Sequence, residues 1–192
     1  MTKTIIASLV SVLLLVQCAK EKDPFLIENG QIGKLSRQIQ IKQIDSVFAL
    51  DSIVKLKDNV LGTQGEVEIF EKGGKKLMLI TPFQDNKPTS LVNHIQIYDE
   101  RFKTNKGLSL NSNFKDIKKN YTIKNIETTI GSVVVFLNET EVYLVYDKKE
   151  LPENLRYNPS LVIEASNIPD DAKIKYFMIS WENEDKNKTE ED

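Results

Sequence analysis

In EVEIF, residues 66–70, Val67 and Ile69 alternate with Glu66 and Glu68, and after EKGG the apolar run KKLMLIT returns. A period of two is the mark of a strand with one face in a core and the other in water. A glycine pair between two such runs turns the chain back, so this stretch predicts an antiparallel hairpin. The same signal recurs along the chain. LVNHIQIYD places Val92, His94, Gln96 and Tyr98 on one face of a strand and Asn93, Ile95 and Ile97 on the other. SVVVFLN and VYLVYD predict a second hairpin joined through NET, and DSIVKLKD, TIKNIETT and LVIEAS predict further strands. In AKIKYFMISWE, Ile174, Tyr176 and Met178 alternate against Phe177, Ile179 and Trp181.

Helical periodicity is confined to short pieces. IQIKQIDSVFA puts Ile41, Ile44, Val47 and Phe48 on one helical face, and NFKDIKKNY does so for Phe114, Ile117 and Tyr121. ELPENLR reads as a single helical turn. Recurrent hairpins with two short helices packed on them predict an α+β fold with a mainly antiparallel sheet.

These two helical pieces sit in similar surroundings. QIGKLS predicts a short strand leading to the first helix, and KGLSL one leading to the second. Gly33 matches Gly107, Leu35 matches Ser109 or Leu110, and Ile44 with Phe48 matches Ile117 with Tyr121. β-rich sequence follows both. The pattern suggests a degenerate internal duplication, with sub-repeats at 28–100 and 101–181 inside one globular domain spanning 28–181.

The first residues have another purpose. Lys3 supplies a positive start, and Ile5 to Val16 form an apolar run broken only by Ser8 and Ser11. That run is shorter than the roughly 20 residues a membrane-spanning helix needs, and it fits a secretory signal at 1–17. Leu15-Val16-Gln17-Cys18 resembles the lipobox of bacterial lipoproteins, although Gln17 stands where that family has Gly, Ala or Ser. The resemblance implies a lipid-modified Cys18. A disulfide within the chain is impossible, since Cys18 is its one cysteine. A reactive thiol wants a basic partner in a folded pocket, and a buried packing role does not suit the hydrophilic AKEKDP that follows. Residues 18–27 then read as a tether, and several acyl chains anchor far more firmly than one.

The whole chain has a formal net charge of −2. Much of the acidity lies in ENEDKNKTEED at 182–192, which lacks apolar residues and predicts a disordered tail. No basic stripe is present, so a nucleic-acid partner is not expected.

Phe102, Thr104, Gly107, Leu108 and Leu110 make the phrase F-x-T-x-x-G-L-x-L ahead of the second helix. That phrase, with the earlier NGQIGKLS, resembles uncharacterised lipoproteins of the Bacteroidota, particularly flavobacteria, over about residues 24–147. The resemblance implies an exported protein anchored in the outer membrane by its lipid, and carries no activity with it. Lys20-Glu21-Lys22-Asp23 partly resembles the charged signal that sends such lipoproteins to the cell surface, which leaves periplasmic and surface facing both open. Ser46 and Ser52, each after Asp and before Val or Ile, match the O-glycosylation triplet of that phylum.

Catalytic and metal-binding patterns are sparse. His94 is the one histidine, and its strand neighbours Val92 and Gln96 are not carboxylates. LGTQGE lacks the Lys-Ser/Thr of a phosphate-binding loop, and Gly73-Gly74 is explained as a turn. The tail acids lack the spacing of a calcium loop. Glu139 and Glu141 flank a hairpin and are expected to be solvated. No catalytic, cofactor or metal site is therefore assigned. The leading expectation is a lipid-anchored binding or scaffolding module of the cell envelope, with an envelope protein or a glycan as partner. The alternatives are a small envelope hydrolase acting on glycans, using Asp99 or Glu100 near His94, and a carrier of an apolar ligand between sheet and helices.

Overall fold

The computed structural model describes residues 23–56, 65–83, 87–156 and 162–181. The expected signal at 1–17, Cys18, the first part of the tether and the tail at 182–192 lie outside the described residues.

The chain starts with three short strands, β1 (Leu26–Glu28), β2 (Gln31–Ile32) and β3 (Leu35–Ser36), before a 3₁₀ turn and the short helix α1 (Ile44–Val47). QIGKLS is thus a turn between two strands rather than one strand. Gly33, at φ 53°, makes that turn, and its N–H donates to Leu26 O at 2.8 Å. An antiparallel meander follows, built from β4 (Ser52–Lys55), β5 (Val67–Phe70), β6 (Lys76–Pro82) and β7 (Val92–Ile97).

The second half also runs from short strand through helix to meander, with one short strand in place of three. β8 (Lys103–Thr104) precedes α2 (Phe114–Asn120), and the meander β9 (Ile123–Thr128), β10 (Ser132–Leu137), β11 (Val142–Asp147) and β12 (Ile174–Ser180) follows. The helical turn α3 (Glu153–Arg156) lies between β11 and β12. β7 and β12, the last strands of the two meanders, pair antiparallel at the middle of an eight-stranded sheet ordered β4-β5-β6-β7-β12-β11-β10-β9. A four-stranded sheet, β3-β2-β1-β8, joins the beginnings of the halves through the parallel pair β1–β8. The architecture is α+β with mainly antiparallel sheets.

One face of the large sheet is buried. Val67 and Ile69, Val133 and Val135, and Val142 and Leu144 alternate into the core, where they meet Ile44, Phe48, Phe114 and Ile117 from the helices. Each such side chain contributes about 1.5–3 kcal/mol by leaving water. Asn113 starts α2 with a reciprocal cap: its Oδ1 accepts the Asp116 N–H at 3.0 Å, and Asp116 Oδ2 accepts the Asn113 N–H at 3.1 Å. Ile44 and Ile117 are both fully buried, and Phe48 and Tyr121 both pack at the C-terminal end of their helices.

Several faces differ from the period-two expectation. Opposite the step from Thr81 to Pro82 in β6, β7 carries one extra residue, so Val92 joins Ile95 and Ile97 in the core instead of pointing outward with His94. Opposite the step from Val145 to Tyr146 in β11, β12 carries one extra residue, which brings Ile174 to the core side with Phe177 and Ile179. A bulge adds one residue and reverses the parity beyond it. KGLSL forms no strand: Thr104 N–H donates to Leu108 O at 3.0 Å across a turn, which leaves Leu108 buried without a ladder. Residues 162–164 also form no strand, and Ala165–Asn167 is a 3₁₀ turn held to the body by buried Ile163 and Ile168.

Candidate binding site

Phe25, the residue before β1, is held from several sides. Its N–H donates to Asp23 Oδ1 at 2.9 Å, and its carbonyl accepts Lys103 N–H at 3.0 Å. Its ring meets Phe102 edge-on at 5.1 Å, and the Arg101 guanidinium lies 4.2 Å from its centroid. A cation over an aromatic face is attracted by the ring quadrupole. The residue before β1 is therefore fastened to the body.

Beside this fastening opens a pocket of about 220 Å³ between the small sheet, the end of α1 and the β5–β6 hairpin. Ile32, Phe48, Leu77, Met78 and Phe102 give it an apolar floor. Its rim is ionic. Lys34 Nζ lies 3.8 Å from Asp51 Oδ2, and Arg101 grips Glu71 with two bonds of 2.9 Å. Arg101 also donates to Asp99 Oδ2 at 2.6 Å, and Lys75 Nζ lies 3.2 Å from Asp99 Oδ1. The Asp99 side chain is fully buried. Burial alone would raise its pKa, but the hydrogen bonds from Arg101 and Lys75 prevail and hold it below the ordinary carboxylate range. Arg101 bonds hold Glu71 low as well. The rim is thus charged at neutral pH but paired, and it leaves the apolar floor as the feature offered to a ligand.

The fold has a known counterpart. The chain is similar to the crystal structure of the uncharacterized protein yfeY from Escherichia coli, with a TM-score of 0.53 and 14% sequence identity, covering 80% of this chain and 97% of that one. At that identity the likeness is one of fold alone. No family model and no curated protein matches the chain.

The residues singled out from sequence do not converge. His94 projects from the outer face of the large sheet, opposite Thr81 and Ser180, with its ring edge-on to Tyr143 at 6.4 Å. Burial lowers its pKa, and its Nδ1 is buried with no hydrogen-bond partner among the described residues. Asp99 lies five residues further along, roughly 15 Å of extended chain away, with its oxygens committed to Arg101 and Lys75. Glu100 accepts from Asn111 Nδ2 at 3.0 Å on the surface.

Glu139 and Glu141 separate in role. Glu139 accepts Thr122 N–H and stays at the surface, whereas Glu141 is only 17% exposed. Glu141 pairs with Arg37 and accepts both Gly30 N–H and Trp181 Nε1–H. The expectation of a solvated Glu141 is corrected, because a bulged, twisted sheet brings the small sheet over its hairpin. Ser46 and Ser52 are exposed, the first on α1 and the second at the start of the edge strand β4. The pocket itself escaped the sequence reading, since its lining looks like ordinary core residues until the small sheet is in place.

Proposed function

We propose that this chain is a lipid-anchored protein of the cell envelope, held in the outer membrane through Cys18, and that it works as a binding module whose apolar pocket receives one side chain of a partner. The observation that carries the reading is the place of the pocket. Pro24 and Phe25 form part of its wall, and an extended chain from Cys18 to Pro24 reaches about 20 Å at most. A pocket so placed faces what lies at the membrane surface.

Size favours a binding module over an apolar-ligand carrier. About 220 Å³ falls below the roughly 300–1,000 Å³ of small-molecule sites, yet an engineered apolar cavity of about 150 Å³ already takes benzene. One aromatic or aliphatic group fits, and buried anchors of that kind dominate protein interfaces. The glycan-hydrolase reading lacks this support, with the Asp99 carboxylate engaged by Arg101 and Lys75 five residues along the chain from His94. Ser46 and Ser52 remain the proposed O-glycosylation positions, both on open surface.

The anchoring is tested by Cys18→Ala, which should leave a soluble protein or an uncleaved precursor. A variant still partitioning with membranes after signal cleavage sinks the anchor. The pocket is tested with indole as probe, followed by NMR. Indole should shift the resonances of Phe48, Leu77 and Phe102, and Leu77→Trp should abolish the shifts while the protein stays folded. Unchanged shifts in that variant would remove the pocket from the proposal.

A further inference from the structure

A second cleft, of about 460 Å³, opens beside the junction of β1 and β8. It lies where β1 ends, where the chain turns after β8 and where β10 turns into β11. Glu28, Asn29, Asn105, Lys106, Tyr121 and Glu139 line it, contributed by segments far apart in sequence. Its volume is inside the range of small-ligand sites, about 300–1,000 Å³.

Its chemistry is selective. Thr104 and Tyr121, only 6% and 8% exposed, also border the cleft and share a hydroxyl–hydroxyl bond of 2.5 Å. Thr104 Oγ1 accepts Leu108 N–H at 3.1 Å as well. The two hydroxyls carry two hydrogens, and their mutual bond uses one. Among the described residues no acceptor takes the other. A buried donor left unmade is costly, so the pair is poised to donate to a ligand. Glu139 accepts Thr122 N–H with both oxygens, at 3.2 and 3.1 Å, and retains further acceptor capacity. The amides of Asn29 and Asn105 both donate and accept.

Charge excludes other ligand classes. Two carboxylates face one ammonium, and that ammonium is engaged: Lys106 Nζ donates to Asn120 O at 2.9 Å and lies 4.7 Å from the Tyr121 ring centroid. An anionic group such as phosphate would meet net repulsion. An apolar group would strand the amides and carboxylates without partners. A hydroxyl satisfies both kinds of need at once, since it donates to a carboxylate and accepts from an amide or from the Thr104–Tyr121 pair. We propose that this cleft binds a neutral polyhydroxylated ligand, a saccharide unit, by hydrogen bonds from both ends of its hydroxyls. The site is separate from the apolar pocket and does not depend on it. The proposal is one of binding and includes no cleavage step.

The test is an NMR titration of the full chain with neutral oligosaccharides of glucose, mannose and N-acetylglucosamine, and separately with inorganic phosphate. At least one saccharide should shift the amides of Asn29, Asn105, Lys106 and Tyr121 saturably, with a Kd of about 1 mM or tighter. Tyr121→Phe and the exposed Asn105→Ala should each weaken it about tenfold. Because Asn105 is on the surface, its variant keeps the wild-type melting temperature and separates binding from folding. The proposal falls if no saccharide shifts these amides at about ten times that concentration, a loss of affinity beyond any useful hydrogen-bond set. It also falls if phosphate shifts them and sugars do not, if Asn105→Ala binds like wild type, or if the saccharide is cleaved during titration.

Discussion

The indole N–H of Trp181 donates to Glu141 Oε2 at 2.7 Å, tying the chain just past β12 to the turn that leads into β11. The same oxygen accepts Gly30 N–H at 2.7 Å, and Arg37 pairs with the carboxylate. Since Gly30 and Arg37 flank β2 and β3, one side chain links the small sheet to the large one. Glu141→Ala strands the Trp181 and Gly30 donors and should cost about 2–3 kcal/mol. Urea denaturation measures it. A loss under about half a kcal/mol would mean the contact is replaced by water.

Gly33 lies hard against the backbone of Pro24. Its φ is +53°, and a Cβ placed there would lie 2.0 Å from the carbonyl oxygen of Pro24. Backbone cannot step aside as a flexible side chain does, so Gly33→Ala should cost about 2–4 kcal/mol. It should also displace Pro24 from the pocket wall and weaken the indole response. A variant with wild-type stability would show that the tether's last residues are held less firmly than this.

Acid should loosen the Arg101 cluster. The folded pKa of Asp99 lies below its unfolded value, because Arg101 and Lys75 overcome the effect of burial. The stabilisation is therefore complete above the unfolded pKa, about 4, and is lost as pH falls through the lower folded value. Urea midpoints measured from neutral pH downward should fall in that window. Asp99→Asn should flatten that fall, and a variant retaining the full acid dependence would assign it elsewhere.

His94 is the chain's one histidine, so its imidazole proton signals need no further assignment. Burial disfavours the charged ring, and its NMR titration should have a midpoint below the ordinary value of about 6.5. Because the folded pKa is depressed, His94 costs nothing above about pH 6.5, and stability falls as pH drops toward the folded value. A midpoint at or above the ordinary value would place the ring in water.

The cap of α2 is a local device with a local price. Asn113→Ala removes the acceptor for Asp116 N–H and should cost about 1 kcal/mol, read from the thermal midpoint. Asn113→Asp should restore most of it.

Much of the fold was legible where local chemistry decides it. Val67 and Ile69 against their glutamates, the Gly73-Gly74 turn, and Ile44, Phe48, Phe114 and Ile117 at helical spacing all lie where their pattern places them. Legibility ended at the bulges. Val92 and Ile174 read as sharing a face with His94 and with Tyr176 and are core instead, because parity reverses at a register slip that depends on the partner strand. In LVIEAS the described residues 162–166 form no strand, and Ile163 is the buried one that anchors the turn after it. The site residues named from sequence, His94, Asp99, Glu100, Glu139 and Glu141, share type but not place.

What the sequence determined alone was periodicity: the strands of the two meanders, where their hairpins turn and which helical faces are apolar. These follow from forces between near neighbours along the chain, and they suffice for an antiparallel α+β body. Tertiary structure decided the pairing of β7 with β12, the parallel β1–β8 contact and the two clefts beside the small sheet. Each joins residues far apart in sequence, such as Gly30 and Glu141 or Thr104 and Tyr121. Such contacts exist only once chain closure has brought the segments together, and no local pattern carries them.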